Sequence, residues 1–415
     1  MIHVRIRKTI VFFSLPLFSL LYVKQVEAWR LTTPVEDGVF VPYFMELIES
    51  HGRSAEWHNV TTEDGFILSV FRILSNPSVC QQVGKRRVVF IQHGLEGAAD
   101  FFIMYGPTRS LAYALSDAGY DVWLGNFRGN VYSKRHQFLL VDDARFWNFS
   151  LDDQALLDLP AMIDYVLKAT GQTSLTYVSH SSSCTAALML LSDRPNYNQK
   201  MNLNVMLAPI VFWKFSSRAA KVYATPFRQA KKIIPSGAVH FLVRHIARRS
   251  FFERRCFQSS VAFKSCFFLV DLITGQDHEQ LDRETVTTFL NYYPAGSSLK
   301  IFYHYIQHLD SGKFRHYDYG SPERNLQYYG RIEPPDYNLK KVTTPSVILR
   351  APNDPLSSRN DTELLISELR NSPMIYDVIK ERKFNHIDFL VAKDVKKLVI
   401  DPLLQIFRKV HGPQC

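Results

Sequence analysis

The feature that most constrains this chain is an alternation of strand-like and helix-like stretches that runs to Pro209, stops, and resumes at Ser346. Arg87-Val88-Val89-Phe90-Ile91-Gln92, Tyr120-Asp121-Val122-Trp123-Leu124, Leu175-Thr176-Tyr177-Val178 and Leu203 to Leu207 are short, β-branched or aromatic runs. Between them, Ser110 to Ala118, residues 151–169 and Thr185 to Leu191 are patterned as helices. Short, nearly continuous apolar strands separated by helices imply a mostly parallel sheet with helices on both faces. Residues 210 to about 340 abandon that pattern and read as helical, basic and aromatic, with several Tyr-rich turns. Strand patterns return at Ser346-Val347-Ile348-Leu349 and Met374 to Ile379. The expected architecture is α/β, with a helical cap (210–340) inserted between two parts of a sheet domain, 29–209 and 341–415.

The first 28 residues stand apart. Arg5, Arg7 and Lys8 precede an almost unbroken apolar run from Thr9 to Val23, and Val26-Glu27-Ala28 ends in a small residue. That order predicts a cleaved secretory signal peptide, and the run is too short for a spanning helix. In an oxidising compartment Cys256 and Cys266 are close enough in sequence to pair, leaving Cys80, Cys184 and Cys415. Asn59-Val60-Thr61, Asn148-Phe149-Ser150 and Asn360-Asp361-Thr362 are glycan acceptor sequons.

The formal net charge is +10, yet it is unevenly placed. Residues 211–265 hold twelve Lys or Arg against one acid, Glu253, so the remainder of the chain beyond residue 28 is net acidic. Lys214, Arg218, Lys221, Lys231, Lys232, Arg248, Arg249, Arg254 and Arg255 are interleaved with Phe, Tyr and Ile. Basic amphipathic segments rest well on anionic interfaces, so an anionic lipid surface is the expected partner of this stretch, and nucleic acid is not. An apolar content of 46% supports a substantial core, and no long polar tract suggests disorder.

In a parallel sheet, reactive groups belong at the carboxyl ends of strands. Three candidates fall there in the order Ser, Asp, His. Ser181 lies between the strand ending at Val178 and the following helix, in Ser179-His180-Ser181-Ser182-Ser183. Asp354 follows the strand Ser346–Leu349 in Pro352-Asn353-Asp354-Pro355, and His386 follows the strand Met374–Ile379 in Phe384-Asn385-His386-Ile387-Asp388. A serine hydroxyl becomes a useful nucleophile only when a base takes its proton. Imidazole does this near neutral pH, and a carboxylate holds the ring in the required tautomer. Backbone N–H donors for a developing oxyanion are expected from Ser182, just after the nucleophile, and from Leu95 in the His93-Gly94-Leu95 turn. No residue pattern calls for a metal or organic cofactor.

Larger motifs extend this reading. Val60-Thr61-Thr62-Glu63-Asp64-Gly65-Phe66-Ile67-Leu68, Gln92-His93-Gly94-Leu95, Asp121-Val122-Trp123-Leu124-Gly125-Asn126 and Arg128-Gly129-Asn130 occur in the first part. Pro294-Ala295-Gly296-Ser297-Ser298, His304-Tyr305-Ile306-Gln307, Tyr317-Asp318-Tyr319-Gly320 and Asn385-His386-Ile387-Asp388-Phe389 follow. From about Pro34 to its end the chain resembles the acid lipase family, the gastric and lysosomal lipases and their insect relatives. The resemblance implies the α/β-hydrolase fold, a cap with a lid, and esterase action on triacylglycerols or sterol esters. It implies Ser181 as nucleophile, Asp354 as orienter, His386 as base, Leu95 and Ser182 as oxyanion donors, and a Cys256–Cys266 bridge in the cap. The chain departs from the family at the elbow, usually Gly-His-Ser-Gln-Gly, at Asn148, more often Asp, and at Ala351-Pro352, where Gly is usual. A second reading retains the fold and pocket as a lipid carrier without catalysis.

Overall fold

Alternating side chains on the central strands divide the interior into two cores. The computed structural model describes residues 40–74, 86–215, 218–241, 255–256 and 258–414. Its strands are β1 (Ala55–Thr61), β2 (Phe66–Ile73), β3 (Val88–Gln92), β4 (Asp121–Gly125), β5 (Arg135–His136) and β6 (Leu175–His180). They continue with β7 (Met201–Leu207), β8 (His240–Phe241), β9 (Ser297–Ser298), β10 (Ser346–Arg350) and β11 (Met374–Val378). Nine form one sheet in the order β1-β2-β4-β3-β6-β7-β10-β11, with β5 paired to β2. From β4 to β11 that order is parallel, whereas β1, β2 and β5 add an antiparallel margin. The signal-peptide segment, Cys80, Arg248, Arg249, Arg254 and Cys415 lie outside the described residues.

Because successive side chains on a strand point to opposite faces, Val89, Ile91, Val122, Leu124 and Val205 enter one core. Val88, Phe90, Trp123, Tyr177 and Met206 enter the other. The first core is closed by helices Leu111–Asp117 and Asp401–His411, the second by Leu159–Thr170 and Ser182–Asp193. The central strands therefore have no solvent face, which is why they read as continuous apolar runs. The hairpin β1–β2 was not legible that way. β1 is half-exposed and mixes polar with apolar residues, and tertiary pairing with β4 through β2 holds it in place. Among the described residues no helix is long and apolar enough to cross a membrane.

Between β7 and β10 the described residues add no strand to the large sheet. Helices Arg218–Ile233 and Leu299–Ser311 pack together here around Ala224, Phe227, Phe302, Tyr303 and Ile306. Cys256 and Cys266 are joined by a disulfide. The insertion is fastened to the sheet domain at several polar points. The Ala295 N–H donates to the Glu96 carbonyl at 2.7 Å and the Val131 N–H to the Ala295 carbonyl at 3.0 Å. Asp152, on the core side, accepts the Tyr337 hydroxyl at 2.6 Å and the Tyr317 N–H at 2.8 Å. It also pairs with His316 at 3.6 Å. Burial opposes a charge on His316, but its bonds to Asp152 and Asp193 outweigh that and push it up to about 9.

Candidate active site

Ser181 sits at φ 60°, ψ −120°, between β6 and the helix Ser182–Asp193. Positive φ is strained for a residue with a side chain, at a cost on the order of 1–3 kcal/mol, and such strain persists only where surroundings impose it. Here the Ser181 N–H donates to the Leu207 carbonyl at 3.0 Å, while the Ser181 carbonyl accepts the Cys184 N–H at 3.1 Å. The corner turns tightly enough to lift the hydroxyl off the sheet edge.

The serines that replace glycine at this corner are accommodated. Ser183 Oγ accepts the His180 N–H at 2.9 Å and lies 2.9 Å from the carbonyls of Gln92 and His180, one of which takes its hydrogen. Ser179 Oγ donates to the Val205 carbonyl at 3.0 Å. Each hydroxyl thus closes a local bond that a glycine would leave out.

Ser181 Oγ lies 2.8 Å from His386 Nε2, and His386 Nδ1 lies 2.7 Å from Asp354 Oδ2. The other Asp354 oxygen accepts the N–H groups of Leu356 and Ser357 at 2.8 and 2.9 Å. Those bonds fix the carboxylate, which in turn requires Nδ1 to carry the imidazole hydrogen and leaves Nε2 free to accept one. All three side chains are buried. They come from the ends of β6, β10 and β11, so the parallel sheet brings together residues far apart in sequence.

Leu95 follows Gly94 in the turn packed on Ser181, and Ser182 follows Ser181 itself. Among the described residues neither backbone N–H is engaged by a protein acceptor. Ser182 opens a helix, where the first N–H groups have no partner within the helix. The Leu95 turn is pressed against the elbow. A Cβ on Gly94 would fall 2.9 Å from Ser181 Cβ and 3.0 Å from the His180 carbonyl, so a larger residue there would displace Ser181.

Several supports were not found from residue patterns. His93 Nε2 accepts from the Phe127 N–H and from Asn130 Nδ2, both at 3.1 Å, so its Nδ1–H donates to the Gly94 carbonyl at 2.8 Å. Burial lowers His93 to about 4, which keeps it neutral in this role. His180 Nε2–H donates to the His386 carbonyl at 3.0 Å, and burial, with His386 adjacent, lowers it to about 3. Both lie within the motifs Gln92-His93-Gly94-Leu95 and Ser179 to Ser183, but only the folded contacts separate a bracing histidine from a reactive one. Cys184 is buried and pushed up to about 12 by that burial, unsuited to nucleophilic attack. Among the described residues no group of three or more His, Cys, Asp or Glu is placed to hold a metal ion.

Comparison with known proteins agrees with this architecture. The family described as "alpha/beta hydrolase fold" matches residues 87–392, and "Partial alpha/beta-hydrolase lipase region" matches residues 44–106. The chain is 37% identical to Lipase 1 of Drosophila melanogaster, over 88% of this chain and 79% of that protein. It is 35% identical to the gastric triacylglycerol lipase of Bos taurus, over 87% of this chain and 90% of that one. A soluble variant of the Saccharomyces cerevisiae monoglyceride lipase shares the fold, with TM-score 0.50 and 15% identity over 86% of this chain and 95% of that one. With family matches and relatives that span most of its length, the chain belongs to the acid lipase family of the α/β-hydrolase fold.

Proposed function

We propose that this protein is a lipase that cleaves carboxylic ester bonds of neutral lipids, triacylglycerols or sterol esters, through an acyl-enzyme on Ser181. The observation that carries the reading is the hydrogen-bonded row Ser181–His386–Asp354 beside the backbone N–H groups of Leu95 and Ser182. Ser181 Oγ attacks the ester carbonyl carbon while His386 Nε2 takes its proton. The oxyanion that forms is held by the two N–H groups, and its collapse expels the alcohol, which leaves with the proton from His386. Water, deprotonated by the same imidazole, then attacks the acyl-enzyme and releases the fatty acid. Asp354 stabilises the imidazolium present between these transfers.

Support for a lipid ester comes from the relatives' names, gastric triacylglycerol lipase among them. The test is labelling of the purified protein with a fluorophosphonate, beside Ser181→Ala. Labelling should reach one site per chain and vanish in the variant. A folded protein that takes no label would instead favour the carrier reading. We further propose passage through the secretory route, in keeping with the amino-terminal segment and with sequon asparagines Asn59, Asn148 and Asn360 that are all exposed.

The cap's cationic side docks on anionic lipid in this proposal. Lys221, Lys232, Arg255 and Lys264 are exposed, and on the helix Ser260–Thr274 Val261 and Phe268 stand exposed on the same face as Lys264. Exposed apolar side chains flanked by cations suit the boundary between acyl chains and anionic headgroups. Reversing those four charges to Glu should weaken binding to vesicles containing phosphatidylserine by about 10³-fold, at roughly 1 kcal/mol for each of the four cations. Hydrolysis of a soluble short-chain ester should be spared. Vesicle binding that survives the reversal would remove this surface from the account.

A further inference from the structure

Three consecutive carbonyls of the cap hold the loops that carry Asp354 and His386. The Thr274 carbonyl accepts the His386 N–H at 2.9 Å, the Gly275 carbonyl accepts Asn385 Nδ2 at 2.8 Å, and the Gln276 carbonyl accepts Asn353 Nδ2 at 2.9 Å. Asn385 immediately precedes His386, and Asn353 immediately precedes Asp354. The run begins where the helix Ser260–Thr274 ends, and the last carbonyls of a helix have no partner within it. The approach depends on Gly275, which sits at φ 94° without a side chain. A Cβ there would fall 1.9 Å from the Asn353 carbonyl oxygen and 2.9 Å from Asn385 Cβ.

Asn385 is where the two sides meet. It is 1% exposed, and its amide is engaged at both ends. Oδ1 accepts the N–H groups of Ile387 and Asp388 at 3.0 and 3.1 Å, while Nδ2 reaches across to the Gly275 carbonyl. The oxygen thus shapes the turn that contains His386, and the nitrogen fastens that turn to the cap. An amide can do both because it carries an acceptor and a donor. The His386 backbone is gripped from opposite sides, its N–H by Thr274 and its carbonyl by the His180 Nε2–H at 3.0 Å. The Asn353 N–H also donates to the Phe384 carbonyl at 3.0 Å, so the acid and base loops are bonded to each other as well as to the cap.

We propose that Asn385 is a positioning residue that, through the Gly275 carbonyl, makes the seating of the cap part of the alignment of His386 with Ser181. Asn353 does the same for Asp354 through the Gln276 carbonyl. The cap is then a component of the triad's framework as well as a cover over it. Nε2 of His386 must stay within hydrogen-bond reach of Ser181 Oγ, where it lies at 2.8 Å. Misplacing a reacting group by about 1 Å costs on the order of 10²-fold in rate, so the ties need restrain only a small displacement to govern catalysis.

The inference rests on the serine-hydrolase reading, and the experiment separates the two. Wild type, Asn385→Ala, Gly275→Ala and the double variant are treated with a fluorophosphonate, and both the labelling rate constant and the final number of labels per chain are measured. For a soluble short-chain ester, kcat and KM are then taken per titrated site. Asn385→Ala should label about 10²-fold more slowly yet still reach one label per chain, with kcat lowered by a similar factor and KM within about twofold. Gly275→Ala alters only the cap and should show the same signature, because its methyl group forces the cap chain off the Asn353 carbonyl. The double variant should lose no more than about twofold beyond the worse single one, since both break the same tie. If Asn385→Ala does not fold, Asn353→Ala, which removes the bond to Gln276 at the surface, should slow labelling by about tenfold at full stoichiometry. Variants that lose labels per chain or thermal stability, but keep the wild-type rate constant and kcat per labelled site, would show a merely structural role and overturn the proposal. A folded wild type that takes no label would overturn the hydrolase reading instead.

Discussion

Replacing His386 by alanine should lower kcat/KM for a soluble ester by about 10⁴–10⁶, nearly all of it in kcat, as removal of the base does in triads that act as a unit. The 2.8 Å contact from Nε2 to Ser181 Oγ is the only route for the hydroxyl proton that the described side chains offer within hydrogen-bond reach of that oxygen. The neighbouring His180 cannot substitute, because its Nε2–H is committed to the His386 carbonyl. Steady-state kinetics, with circular dichroism to establish the fold, would check this. More than about one per cent residual activity, above what the oxyanion donors alone supply, would show that another group takes the proton.

The second large effect concerns stability. Arg128 is fully buried after β4, with Nε 2.7 Å from Asp158 Oδ1 and its two terminal nitrogens 2.7 and 3.0 Å from Asp64. Its backbone N–H also donates to Asp158 at 3.0 Å, and the guanidinium lies 4.1 Å from the Phe66 ring. Removing one partner of such a group leaves Asp158 buried without its countercharge, which costs about 3–5 kcal/mol. Arg128→Met should therefore lower the thermal midpoint by roughly 5–10 °C. The loss would reach the site, because Asn126 and Asn130 flank this arginine and Asn130 braces His93 behind the Gly94-Leu95 turn. Adding Asp158→Leu to Arg128→Met removes the stranded carboxylate and should recover part of the loss. A midpoint unchanged in Arg128→Met would mean that the arginine contributes no net stability.

The reading of the elbow shows how far residue patterns reach. Three serines around Ser181 are consistent with an ordinary helix cap, and the sequence offered no way to tell whether they crowd the turn. The folded corner gives Ser183 a place between two carbonyls and Ser179 a carbonyl of its own, so both hydroxyls are taken up by local hydrogen bonds. The basic stretch of the insertion was equally visible, but which of its cations reach solvent was not. Arg228 is taken up by Asp310 and Lys231 lies 6.0 Å from the Tyr303 ring, whereas Lys221 and Lys232 are exposed.

What the sequence determined by itself was the layered sheet and the order in which serine, aspartate and histidine follow their strands. These are properties of local pattern: a strand buried on both faces must be apolar throughout, and a turn must follow it. What only the tertiary structure decided was which polar groups meet. The strained φ of Ser181, the tautomers of His93 and His180 and the clamp on Asp152 all depend on residues far apart in the chain. Burial gives each of these contacts its strength and its pH dependence, and burial is a property of the packed molecule that no single stretch of sequence contains.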